Sequence, residues 1–378
     1  MPDTARSSAP VDLKPLTTLR ILAALWVVLA DYWPDLRHAP PMPTLVAHGQ
    51  LGVELFFVLS GFILSHVYLA GFGEGRFKYG AFLWARLARI YPLHIATLVG
   101  VGLMGGAALL LKQHMDHTVL YWPALPSNLL LVNAWGFNVD AGWNHPAWSI
   151  SAEWFAYLAF PVFATGAWAL RKRPLLAAVL TAALLAVAYP LFRHFAGFEL
   201  TDATIAWGAL RILPCFAFGA AMNLLWRADA IRTRESAVTL SLVFMALSVA
   251  SAAVAAPTAA VVVTFGLLIL SLASLTSTGS TLFSNRVGVY LGEVSFAVYM
   301  VAIPWKMLAL SGAQKLLHME EDGLPLALWL AYFLGVIPVG MAAHHLVEAP
   351  ARNLMRKWAD SRARARARTR MALRTATS

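Results

Sequence analysis

The chain has 378 residues, of which 59% are hydrophobic and 13% charged, with a mean hydropathy of +0.65 and a formal charge of +10. A water-soluble domain of that composition would leave far too much apolar surface exposed, so the chain is built for a bilayer. A single cysteine, Cys215, excludes an internal disulfide framework and a multi-cysteine metal site. The excess positive charge is gathered in short segments and in the last thirty residues, which speaks for membrane topology and against nucleic acid as a partner.

A hydrocarbon core of about 30 Å takes roughly 20 apolar residues per helix. That window predicts an all-α polytopic membrane protein of about ten spans, at 16–33, 50–70, 82–111, 146–170, 174–193, 204–226, 236–256, 258–276, 287–311 and 324–350. The opening MPDTARSSAP is polar and no small-residue cleavage pattern follows the first apolar run, so that run is expected to stay as a membrane helix. The seventh and eighth spans, separated only at Ala256-Pro257, read either as a hairpin or as one broken span. No internal repeat is evident. The chain divides into an N-terminal segment 1–15, a transmembrane domain 16–357 and a basic, irregular tail 358–378.

Alternate connections differ sharply in charge. One set holds Arg76, Lys78, Arg171, Lys172, Arg173, Arg227, Arg232, Arg234, Arg286 and the tail, whereas the other holds little beyond Arg37, Lys112 and Lys315. Positive residues accumulate on the cytoplasmic side, so both termini are expected there, with the 112–145 loop and Glu320-Glu321-Asp322 outside. The tail arginines, at 362, 364, 366, 368 and 370, have the charge to meet anionic lipid headgroups, although a plain stop-transfer anchor explains them as well.

Ionisable residues inside spans cost several kcal/mol unless they line a cavity or pair, so each is a functional candidate. The first span carries Arg20 and Asp31. Eleven residues rise about 16 Å and turn three times plus about 20°, which puts both on one helix face. In the third span Arg86 and Arg89, three apart ahead of Pro92, share one side; paired guanidiniums suit phosphate groups, and positive-inside anchoring is the competing explanation. Glu153 falls one turn after Ser149 in WNHPAWSISAEWFAYLAFP, beyond the reach of the helix dipole alone. Arg211, a lone cation ahead of Pro214, needs a counter-ion, with Glu153 or Asp31 the candidates. His114, Asp116 and His117 have helical ligand spacing but read as ordinary surface residues, and Cys215 reads as a small buried hydrophobe.

These segments, taken in order, resemble the acyltransferase-3 family over residues 16–357. The pieces are LTTLRILAALWVVLADYWP, GQLGVELFFVLSGFIL, RLARIYPLH, HPAWSISAEWFAYLAFP, LRILPCFAFG, LGEVSFAVYMVAIP and VEAPARNLMRKW. The resemblance implies a membrane enzyme, placed in a bacterial inner membrane, that takes an acyl group, usually acetyl, from acyl-CoA as co-substrate. The acceptor it implies is a hydroxyl of a polysaccharide, lipopolysaccharide or glycolipid. It matches Arg20 to the family's first-helix arginine, Arg86 and Arg89 to its paired arginines, and Glu153 to its helix-four glutamate. Asp31 stands where the family carries a histidine treated as catalytic, and Ala302 where many members carry another.

The expected site therefore has Arg86 and Arg89 on the acyl-CoA phosphates and Asp31, supported by Arg20 and Glu153, where the acceptor is deprotonated. Trp148, Ser149, Arg211 and Tyr299 complete the substrate-facing set. No metal or bound cofactor is needed, and direct transfer is the simpler scheme because no strong nucleophile is evident. A carboxylate is a weaker base than histidine unless desolvated, so Glu153 or His94 as the base, and an impaired family member, stay open. A transporter or flippase of a lipid-linked or acylated molecule is the rival reading, since intramembrane charges also mark substrate pathways.

Overall fold

The structure, a computed structural model, describes residues 13–112, 118–275, 282–316 and 323–376. Among these the chain is helical, with no strand beyond a single bridge between Leu36 and Leu324. In order the helices are α1 (Lys14–Tyr32), α2 (Gly52–Gly73), α3 (Tyr79–Leu110), α4 (Ala147–Leu158), α5 (Phe160–Ala169), α6 (Pro174–Ala196), α7 (Gly208–Arg227), α8 (Arg234–Ala253), α9 (Thr258–Ser274), α10 (Arg286–Leu316), α11 (Leu326–Ala343) and α12 (Ala349–Ala376). Short helical turns fill the connections.

Among the described residues eight helices are long and apolar enough to cross a membrane. The other two predicted spans take different forms. The fourth is divided into α4 and α5 around Ala159, because Pro161 in the first turn of α5 has no N–H to continue the ladder. The eighth, α9, has 17 residues and packs against α8, so Pro257 opens a hairpin rather than breaking one span. The 358–378 segment, expected to be irregular, is helical to Ala376 as the continuation of α12. That helix begins beside the first turns of α3: Trp84 Nε1 donates to the Met355 carbonyl at 3.0 Å, and the Trp84 and Trp358 rings lie 4.9 Å apart. The basic segment and the Arg76–Lys78 connection thus share one rim. Lipid-facing flanks are apolar, as Leu175, Val179, Val187 and Leu191 on α6 illustrate, while Ala177, Leu185 and Tyr189 of the same helix are buried.

In a bilayer, helices associate through close packing rather than water exclusion, and small residues let backbones approach. The α2–α7 pair uses this reciprocally. Gly61 lies against the Phe216 backbone and Gly219 against the Val58 backbone, with no room for a Cβ at either. A side chain there would force the helices apart at an expected cost of about 1–3 kcal/mol. Gly219→Val and Gly61→Val are accordingly expected to lower the unfolding temperature of the detergent-solubilised protein, whereas Gly71→Ala, at a position with open space, leaves it unchanged.

Candidate active site

Five helices line a chamber of about 160 Å³ that opens to the surface. Arg20 enters from α1, Ser60 from α2, Arg86 and Arg89 from α3, and Tyr299 from α10. From α4 come Ser149, Glu153 and Tyr157, which at spacings of four form one stripe down a single helix face. The sequence-predicted Arg20, Arg86, Arg89, Ser149, Glu153 and Tyr299 therefore do converge, although they span 280 positions of the chain. Phe56, Ile63 and Phe296 supply apolar wall between them.

The charged groups of this wall are unevenly matched. Arg89 Nη1 donates to Glu348 Oε1 at 2.8 Å, and the guanidinium also lies 5.7 Å from the Phe296 ring. Glu348 is fully buried on a π-turn at His344–Glu348; it accepts in addition from Arg352 Nη1 at 3.0 Å and lies 2.9 Å from His344 Nδ1. Arg86 has a weaker partner, the Tyr68 hydroxyl at 3.3 Å, whose ring it also covers at 5.6 Å. Arg20 lies within electrostatic range of Glu153, Arg89 and Glu348. Among the described residues neither Arg20 nor Arg86 makes an ion pair with a carboxylate. Glu153 is the carboxylate of the chamber wall, and its Oε1 accepts a 2.6 Å hydrogen bond from Ser60 Oγ. With Arg89 matched by Glu348, Arg20 and Arg86 stand against the single carboxylate of Glu153, an excess of positive charge that attracts an anion.

Asp31 is elsewhere. It is exposed at the far end of α1, outside the residues that line the chamber, where Lys306 Nζ donates to its backbone carbonyl at 3.0 Å and pairs with Asp35 at 2.8 Å. Ala302 lies in the same region, its carbonyl accepting the Tyr32 hydroxyl at 2.6 Å. Arg211 is fully buried, and its counter-ion is neither Glu153 nor Asp31 but Glu54 of α2: Nη2 donates to Oε2 at 2.8 Å and Nε to Oε1. Trp148, 4% exposed, packs edge-on against Phe57 and carries the Arg211 guanidinium 4.8 Å from its ring. Neither Trp148 nor Arg211 lines the chamber.

Ser149 and Tyr299 do line the chamber, with both hydroxyls turned to the Pro146 carbonyl at 3.0 and 3.4 Å. His94 is buried against the Asn128 carbonyl at 2.8 Å, away from the chamber, and Cys215 is buried beside Tyr189. His114, Asp116 and His117 lie outside the described residues. Sequence reasoning passed over Glu54, Ser60 and Glu348, although all three stand in quoted segments. The cost of a carboxylate inside a span was signal enough for the two glutamates; nothing local marks Ser60.

The sequence profile of the Acyltransferase 3 family, described as an acyltransferase domain, matches residues 15–345. The acyltransferase MdmB of Streptomyces mycarofaciens is 29% identical over 372 residues, covering 91% of this chain and 93% of that protein. Protein 2 in the picA locus of Rhizobium radiobacter is 50% identical over 52 residues, or 14% of this chain and 27% of that protein. No solved structure matches with significance.

The Glu54–Arg211 pair gives a test of its own, since breaking a buried pair from one side strands a charge at a cost of about 3–5 kcal/mol, while replacing both partners with apolar groups is often neutral. Glu54→Leu and Arg211→Met are each expected to lower stability strongly in detergent unfolding, and the double variant to recover most of the loss.

Proposed function

The chain belongs to the acyltransferase-3 family, and from that premise and the chamber's charge we propose that it moves an acyl group, with acetyl the expected case, from acyl-CoA to a hydroxyl of a cell-surface or exported carbohydrate. The observation that carries the reading is the unequal wall. Arg20 and Arg86 face a cavity without a carboxylate of their own, an arrangement that is costly in an apolar protein unless an anionic ligand completes it. The phosphates and diphosphate of a coenzyme A thioester are such a ligand, and planar guanidiniums bind phosphate oxygens in pairs. Arg89, already bonded to Glu348, holds its side of the mouth fixed.

Once the phosphates are held, the thioester end reaches the level of Glu153. A carboxylate at hydrogen-bond distance from a reacting hydroxyl serves as its proton acceptor, and a thioester is activated enough to need only that. The role first given to Asp31 is thereby reassigned to Glu153, because Asp31 lies outside the chamber while Glu153 forms its wall. Lipids surround the apolar flanks. The rim bearing Arg76, Lys78 and the tail is proposed to face the cytoplasm, where acyl-CoA is made, and a bacterial inner membrane is the proposed location.

Incubating the purified full chain in detergent with labelled acetyl-CoA and a panel of glycans tests this. Transfer of label to a glycan is the expected result. Arg20→Ala and Arg86→Ala should each weaken acyl-CoA binding by about 10- to 100-fold, the worth of charged hydrogen bonds. Glu153→Gln should lower kcat by roughly 100-fold or more, and Asp31→Asn should leave it within a fewfold of the parent. Flux of a glycolipid across proteoliposomes, with neither acyl transfer nor acyl-CoA binding, would instead establish the transporter.

A further inference from the structure

Hydroxyls on buried helices ordinarily turn back to a carbonyl three or four residues earlier. Thr97, Ser127, Ser149, Ser241, Ser271 and Ser274 all do so here. Ser60 does not. Its hydroxyl leaves α2, crosses the chamber wall and donates to Glu153 of α4, 93 residues away in sequence, at 2.6 Å. A hydroxyl aimed at a carboxylate, with the carboxylate flanked by further groups, is the arrangement of an activated nucleophile and its base. Tyr157 stands one turn beyond Glu153 on the same stripe, and Arg20, Arg86 and Arg89 surround them.

We propose that Ser60 is a catalytic nucleophile and that the acyl group passes through a covalent ester on its Oγ. In the first half, Oγ attacks the thioester carbonyl carbon as its proton moves to Glu153. The C–S bond breaks, and the departing thiolate takes that proton from Glu153, leaving an acylated Ser60 and free coenzyme A. In the second half the acceptor hydroxyl attacks the ester carbonyl and gives its proton to Glu153. The C–O bond to Ser60 breaks, and the serine oxygen recovers the proton. No oxidant, reductant or further reactant is consumed. The scheme rests on acyl-CoA being the donor, and it replaces the direct transfer that the sequence favoured when no nucleophile was evident.

The test needs no acceptor. A covalent relay lets the full-length protein exchange labelled free coenzyme A into unlabelled acetyl-CoA, and leaves acetyl label on a peptide containing Ser60 after acid quenching. Ser60→Ala is expected to abolish both the exchange and the label, Ser60→Cys to keep the label as a thioester, and Glu153→Gln to slow exchange by roughly 100-fold or more. Persistent exchange in Ser60→Ala would overturn the assignment. So would a wild-type preparation that acetylates a glycan yet shows no exchange and no label, which leaves the acyltransferase reading intact and removes only the relay. A protein that binds acyl-CoA but neither exchanges nor transfers defeats both.

Discussion

A guanidinium buried among apolar helices needs a counter-ion, a polar cavity or both, and this requirement divides the cations of the chain into those paired within the packed helices and those that face the cavity. Arg211, paired with Glu54 and covered by Trp148, belongs to the first kind. Arg20 and Arg86, which meet the chamber without a carboxylate, belong to the second. Arg89 is of both kinds, because Glu348 anchors it from behind while its other side lines the cavity. Glu348, on its π-turn, bonds across to Arg89 of α3 and along its own run to His344 and Arg352.

The scaffold and the chemistry meet on α2. Glu54 ties that helix to Arg211 of α7, and one and two turns on, Val58 and Gly61 close against the α7 backbone at Gly219 and Phe216. Ser60 lies between those contacts, so its position opposite Glu153 is set by a closely packed helix pair rather than by local geometry. Rigid placement of this sort matters for a hydroxyl that must be aimed within a fraction of an ångström.

The far end of α1 presents a different chemistry. The fold brings Asp31 and Ala302 to one place: Tyr32 bonds the Ala302 carbonyl, and Lys306, one turn on from Ala302, reaches Asp31 and Asp35. An ion pair and a stacked tyrosine pair, Tyr32 on Tyr332 at 4.2 Å, fill the region.

Much of the architecture was legible in the linear sequence because a bilayer demands long apolar runs and penalises every charge inside them. Run length gave the helices, and the scarcity of interior charge singled out Arg20, Arg86, Arg89 and Glu153, all of which reach one chamber. The same rule applied to Glu54 and Glu348 would have supplied both missing counter-ions. Tertiary structure alone decided the rest. Helical spacing places Arg20 and Asp31 on one face but says nothing of which neighbours cover that face 16 Å along, as about eleven residues rise, and α10 covers the Asp31 end with Lys306. The break at Pro161, the hairpin at Pro257 and the Ser60–Glu153 bond likewise depend on where separate helices come to rest. Composition constrains what each residue tolerates, whereas partners distant in the chain are chosen only when the helices pack.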